Sequence, residues 1–149
     1  MNLEEYTYYR TGSTKINVII RNMFFKPFVS SSFKSFWKYW NPTWGFYLLF
    51  YCYKPLKTVF PAWVALVITF LISGLFHDII YIVPMMMKKV QFVFPFITVW
   101  FFIISLGIIL SEYLQLNFNK INLTVRPIFH LGYLVVTFIL TRYIDLSVA

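Results

Sequence analysis

One cysteine, two histidines, five glycines and five acidic residues among 149 positions exclude several kinds of protein. With Cys52 alone, no disulfide framework can form. The two histidines and the cysteine have no metal-ligand spacing, so neither a metal nor a bound cofactor is expected. The chain has no glycine-rich phosphate loop and no nucleophile elbow. Charged residues make up only 12% of the chain, against 60% hydrophobic and 23% aromatic residues. A soluble domain of this size cannot hide so much apolar surface, whereas a bilayer can.

The charge that is present is one-sided. Thirteen Lys and Arg stand against five acids, for a net charge of +8. Eight of the thirteen precede residue 60: Arg10, Lys15, Arg21, Lys26, Lys34, Lys38, Lys54 and Lys57. Basic residues interleaved with aromatics fit a membrane surface of anionic lipids better than nucleic acid, which is not expected as a partner.

The hydropathy pattern divides a single membrane domain, 1–149, into two parts. Residues 1–59 are basic and aromatic, and residues 60–149 hold three apolar runs near 60–83, 92–110 and 128–144. Each run is long enough to cross a bilayer. The expected fold is therefore an all-α integral membrane protein, with about three transmembrane helices preceded by interfacial amphipathic helices. Residues 1–13 are polar and read as loose. Ser13 or Thr14 can cap a helix running to about Phe25, stopped by Lys26-Pro27. Ser30, Ser31 and Ser32 offer a cap for a second helix, in which Phe33, Phe36, Trp37 and Trp40 share one face and Lys34 and Lys38 the other. Pro42 ends that helix. The apolar run 44–53 is only ten residues long, so it reads as re-entrant, interfacial or buried against other helices. Pro84 closes the first span. Placing the basic third inside a cytoplasmic (inner) membrane, with the N-terminus inside, satisfies the positive-inside rule.

Ionisable groups within membrane spans are costly, which makes them the place to look for chemistry. His77 and Asp78 stand together in Ser73-Gly74-Leu75-Phe76-His77-Asp78. Ser73 and Tyr81 share the helical face of His77, and Asp78 points about 100° away. Gly74 leaves room for a neighbouring backbone or a ligand. A neutral imidazole in an apolar wall can act as a general base, or it can simply bridge helices. Asp78 can orient a partner or anchor the end of the span. Asn41 offers a carboxamide on the face of Lys34 and Lys38, or an ordinary helix-ending asparagine. His130, Glu112 and Asp145 read as structural.

Three of these stretches occur in an informative order. Phe36-Trp37-Lys38-Tyr39-Trp40-Asn41-Pro42, then Tyr53-Lys54-Pro55-Leu56, then Ser73-Gly74-Leu75-Phe76-His77-Asp78 resembles the membrane-bound O-acyltransferase family. The likeness is to the catalytic half of its diacylglycerol and sterol acyltransferase branch, and Val83-Pro84 extends it. The resemblance implies that His77 is the general base that deprotonates an acceptor hydroxyl. Asn41 would be the second catalytic position. The acyl donor would be a thioester, acyl-CoA or an acyl carrier protein. Trp37, Trp40, Ser73, Tyr81 and Asp78 become candidates for substrate contact; apart from any family motif, the basic helix places Lys34 and Lys38 as candidates for the donor's phosphates. Family members are usually several times longer, so the chain is expected to form a homo-oligomer, to join a partner membrane subunit, or to be a reduced relative. A non-catalytic accessory subunit and a small channel or proton relay using His77, Asp78 and Glu112 are the competing readings. The resemblance also sets a geometric condition. His77 lies about 25 Å along a helix from Phe60, so Asn41 reaches it only if residues 41–57 dip into the membrane, the helix tilts, or the membrane boundary lies elsewhere.

Overall fold

The computed structural model describes residues 1–87 and 94–148, without the side chains of Tyr81, Met86 and Val148. The expected start of the second span at residue 92, and Lys88 and Lys89, lie outside the described residues. All regular structure among the described residues is helical. In chain order the helices are α1 (Leu3–Thr11), α2 (Ile16–Phe28), α3 (Phe33–Tyr39), α4 (Pro42–Tyr47), a π-helix (Leu48–Tyr53), α5 (Lys54–Val59), α6 (Ala62–Met87), α7 (Phe96–Tyr113) and α8 (Arg126–Val148).

Three of these are long and apolar enough to cross a membrane: α6 over Ala62–Met85, α7 over Phe96–Tyr113 and α8 over Arg126–Ser147. Their outer faces expose large apolar side chains such as Ile80, Leu110 and Val136, as hydrocarbon-facing surfaces require. The boundaries differ from the sequence reading for local reasons. Phe60 is extended (φ −115°, ψ 155°) because a residue before proline avoids the α region, so α6 starts at Ala62 beyond Pro61. Pro84 does not close α6, which runs on to Met87. A proline near a helix end removes one amide donor and strands only one carbonyl, which a last turn tolerates. Pro27 behaves in the same way inside the last turn of α2.

The spans pack in chain order, α6 on α7 and α7 on α8. Small side chains set the closest approach. A Cβ added at Gly74 would meet the Thr98 Cα at 2.5 Å, so α6 lies directly against the first turn of α7. Gly74 therefore makes room for a backbone. Gly107 accommodates the ring of Tyr133, whose hydroxyl donates to the carbonyl of Ile104.

The N-terminal third is more ordered than its composition suggests. Residues 3–11 form a helix, with a capping box in which the Asn2 side chain accepts from the Glu5 amide and the Glu5 carboxylate accepts from the Asn2 amide. Gly12 closes it with φ +80°. Tyr6 anchors α1, buried edge-on against Phe46 and Phe50. Neither Ser13 nor Thr14 caps α2. Lys15 holds the cap position, with Ser13 Oγ accepting from its amide at 3.0 Å. Ser32 does cap α3, accepting from the Ser35 amide at 3.1 Å. The aromatic face of α3 is turned onto the spans. Phe36 is buried against His130, and Trp37 meets Phe70 of α6 and Phe101 of α7 edge-on.

The ten-residue apolar run belongs to a longer helical arm. Helix α4, the π-helix and α5 follow without a break over residues 42–59, about 27 Å at 1.5 Å per residue. The arm turns at Phe60 and Pro61 into α6 and runs back beside it. The indole Nε1 of Trp44 donates to Ser73 Oγ at 2.9 Å, which fixes the start of the arm beside the middle of α6.

Candidate functional site

The returning arm creates a cleft of about 250 Å³ between itself, α1, α3, α6 and α7. Seven of the residues expected at a site line it: His77, Asn41, Trp37, Trp40, Lys34, Lys38 and Ser73. Leu48, Leu49, Leu66, Phe70 and Phe101 supply apolar wall. Asn41 and His77 thus line the same cleft. Asn41 is near the middle of α6 because the arm that it starts lies antiparallel along that helix.

His77 is oriented from within its own helix. Its Nδ1 is 2.6 Å from the carbonyl oxygen of Ser73, one turn earlier. A carbonyl only accepts, so Nδ1 carries the proton and, in the neutral ring, Nε2 carries the lone pair. Nε2 has no hydrogen-bond partner among the described residues. The ring sits edge-on to Trp44, with centroids 6.0 Å apart, and 5.6 Å from Phe101. Trp44 thus touches the imidazole and also bonds the hydroxyl of the residue that orients it. His77 as a whole remains exposed.

Asn41 has φ 41° and ψ 75°, a left-handed conformation that asparagine tolerates better than most residues. It is the N-cap of α4 rather than the end of α3, and its Oδ1 accepts from the Trp44 amide at 3.2 Å. Its Nδ2 donors make no bond among the described residues. One residue therefore ends the approach from α3, starts α4 and keeps two donors at the cleft.

The basic residues are not equivalent. Lys34 is bound to Glu112 at the end of α7, Nζ to Oε1 2.6 Å, with both side chains more than two-fifths exposed. Lys38 is exposed and forms no ion pair among the described residues. Arg10, supplied by α1, also lines the cleft, with its guanidinium 4.8 Å from the centre of the Tyr6 ring.

Asp78 does not line the cleft. It is fully buried, and its two oxygens accept from the amides of Ile97 and Thr98, each at 2.8 Å. Pro95 precedes α7 and has no side-chain cap to offer, so α6 supplies the cap from across the helix pair. Asp78 is the anchor of α7, and substrate contact is corrected to helix capping for this residue. The side chain of Tyr81 lies outside the described residues.

Trp44, Arg10 and Tyr6 escaped the sequence reading. Trp44 carried a signal: it stands three residues after Asn41, the position whose amide an N-cap side chain meets. Arg10 and Tyr6 carried none, because only the packing of α1 brings them to the cleft. His130 is buried, with Nε2 3.1 Å from the Ser30 carbonyl oxygen and aromatic rings of Phe33, Phe36 and Phe118 around it, the structural role its sequence position suggests.

Comparison with known protein families, curated proteins and solved structures finds no match for this chain.

Proposed function

We propose that this chain is an O-acyltransferase-like membrane protein that moves an acyl group from a thioester to an acceptor hydroxyl. The observation that carries the reading is one cleft lined by an oriented imidazole, a carboxamide with open donors and an apolar wall. Nε2 of His77 takes the proton of the acceptor hydroxyl, and the oxygen attacks the thioester carbonyl. The Nδ2 donors of Asn41 are suited to the carbonyl oxygen as it gains negative charge. The carbon–sulfur bond then breaks, and the departing thiolate recovers the proton from the imidazolium. The donor is acyl-CoA or an acyl carrier protein. Its phosphates lie toward Lys38 and Arg10, with the charge of Lys34 already paired with Glu112.

In this reading the spans cross a cytoplasmic membrane with the N-terminal layer on the inner side. The exposed apolar side chains Ile16, Ile20, Phe24 and Phe25 of α2 meet lipid at the interface. The test is acyl transfer from acyl-CoA in proteoliposomes that contain the purified chain. His77→Ala abolishes transfer while expression and elution volume persist. Full activity of that variant refutes the assignment.

A second reading rests on the exposure of His77. A base that works best away from bulk water needs a further wall, which a second copy or a partner membrane subunit would supply. Co-purification with a fixed partner, and turnover only in its presence, distinguishes this arrangement from a chain that acts alone.

A further inference from the structure

Away from the cleft, a second pocket of about 390 Å³ opens between α2, α3 and the start of α8. It shares no residue with the first. We infer that it binds a phosphate group presented by the head group of a membrane phospholipid.

Lys26 and Arg126 both line the pocket and both are half-buried. None of the five carboxylates of the chain does so. Glu5 is held by Asn2, Asp78 by the start of α7, Glu112 by Lys34 and Asp145 by Arg142, and Glu4 stands in α1. Among the described residues, two cations thus face one space without an anion, an arrangement that a bound anion relieves.

The hydrogen-bond inventory points the same way. The guanidinium of Arg126 donates to the carbonyls of Ile121, Val29 and Asn119, which uses three of its five N–H groups and locks its plane. Lys26 gives one N–H to the Arg10 carbonyl at 3.0 Å and keeps two. Ser35 Oγ already accepts from the Ser32 hydroxyl, so its own hydrogen is available to donate. Ser31, Tyr39 and the Asn119 side chain add further donors to the lining. Among the described residues the pocket is rich in donors and holds no carboxylate, which suits an oxyanion with several acceptor oxygens. At about 30 Å³ for each water in the liquid, the space admits a phosphate with part of its head group.

Position selects the lipid source. Arg126 is the first residue of α8, Asn119 lies between the end of α7 and that start, and the Phe118 amide bonds the Ser31 carbonyl at 2.8 Å. The pocket therefore lies where two spans end, the level of the head groups in a bilayer.

The test uses the purified full chain in detergent micelles. Retained lipid is measured by native mass spectrometry against phosphatidylglycerol, phosphatidylcholine and a phosphate-free diacyl glucoside. Inorganic phosphate is tested separately by its effect on thermal unfolding. The wild type retains both phospholipids over the glucoside. Lys26→Gln and Tyr39→Phe each weaken phospholipid retention, Lys26→Gln by about tenfold, the loss of one charge-assisted bond. Tyr39→Phe guards against a folding defect, since Lys26 also ties α2 to the end of α1. Equal retention by the wild type and both variants overturns the site, as does glucoside retained as well as phospholipid. Stabilisation by inorganic phosphate with no retained phospholipid overturns the lipid source.

Discussion

Replacing Asp78 separates the two roles an acid beside His77 could have. The carboxylate is fully buried and accepts from two amides in the first turn of α7. Alanine leaves both donors without a partner. Each unsatisfied amide costs about 1–3 kcal/mol, so Asp78→Ala should destabilise the fold by about 2–6 kcal/mol. For a chain of this length that lowers the unfolding midpoint by roughly 5–20 °C. Asparagine keeps one acceptor oxygen but turns an amide donor toward the other N–H, so Asp78→Asn should lose about 1–3 kcal/mol. The assay is thermal unfolding in a mild detergent, followed by tryptophan fluorescence, with acyl transfer measured in parallel below the midpoint. Folded Asp78→Asn should keep its KM within about twofold, because Asp78 does not line the cleft. An Asn variant as stable as the wild type but with a strongly raised KM would refute the capping account and restore Asp78 as a substrate contact.

Gly74→Ala should act through the same contact: the new Cβ meets the Thr98 Cα at 2.5 Å, so the variant should lose about 1–3 kcal/mol in the same unfolding assay, and unchanged stability would refute direct backbone packing there. Asn41→Asp keeps the cap acceptor and removes the Nδ2 donors, so it should hold its unfolding midpoint while kcat falls about tenfold or more; a parallel loss of stability would make the carboxamide structural only. Trp44→Phe keeps the aromatic contact with His77 but not the bond to Ser73 Oγ, and a several-fold fall in kcat with KM retained is expected by steady-state kinetics. Lys34→Gln breaks an exposed ion pair, and chemical unfolding should change by less than about 1 kcal/mol.

Much of the helical content was legible locally. The spans follow from apolar runs long enough to cross a bilayer, and the cap of α3 from Ser32 at the correct offset. The order of the Trp-Asn, Lys-Pro and Ser-Gly-Leu-Phe-His stretches brought His77 and Asn41 forward together. The π-helix was not legible, because Leu48–Tyr53 is apolar throughout and its wider turn has no signature of residue type. Helix α1 was misread because a polar composition hid a capping box and a single anchor, Tyr6, whose partners lie forty residues further on.

By itself the sequence determined that, among the described residues, three helices are able to cross a membrane, since length and hydropathy along a single helix are local properties. It also determined which polar groups are scarce enough to matter. Only the tertiary structure decided what each of them faces. The arm of residues 42–59 lies back along α6, so Asn41 joins His77 at one cleft instead of standing a helix length away. Asp78, next to His77 in the chain, is turned by the 100° helical step toward α7 and holds its first amides. Lys34 meets Glu112 across 78 residues. These pairings depend on how helices are laid against one another, and no local pattern encodes that arrangement.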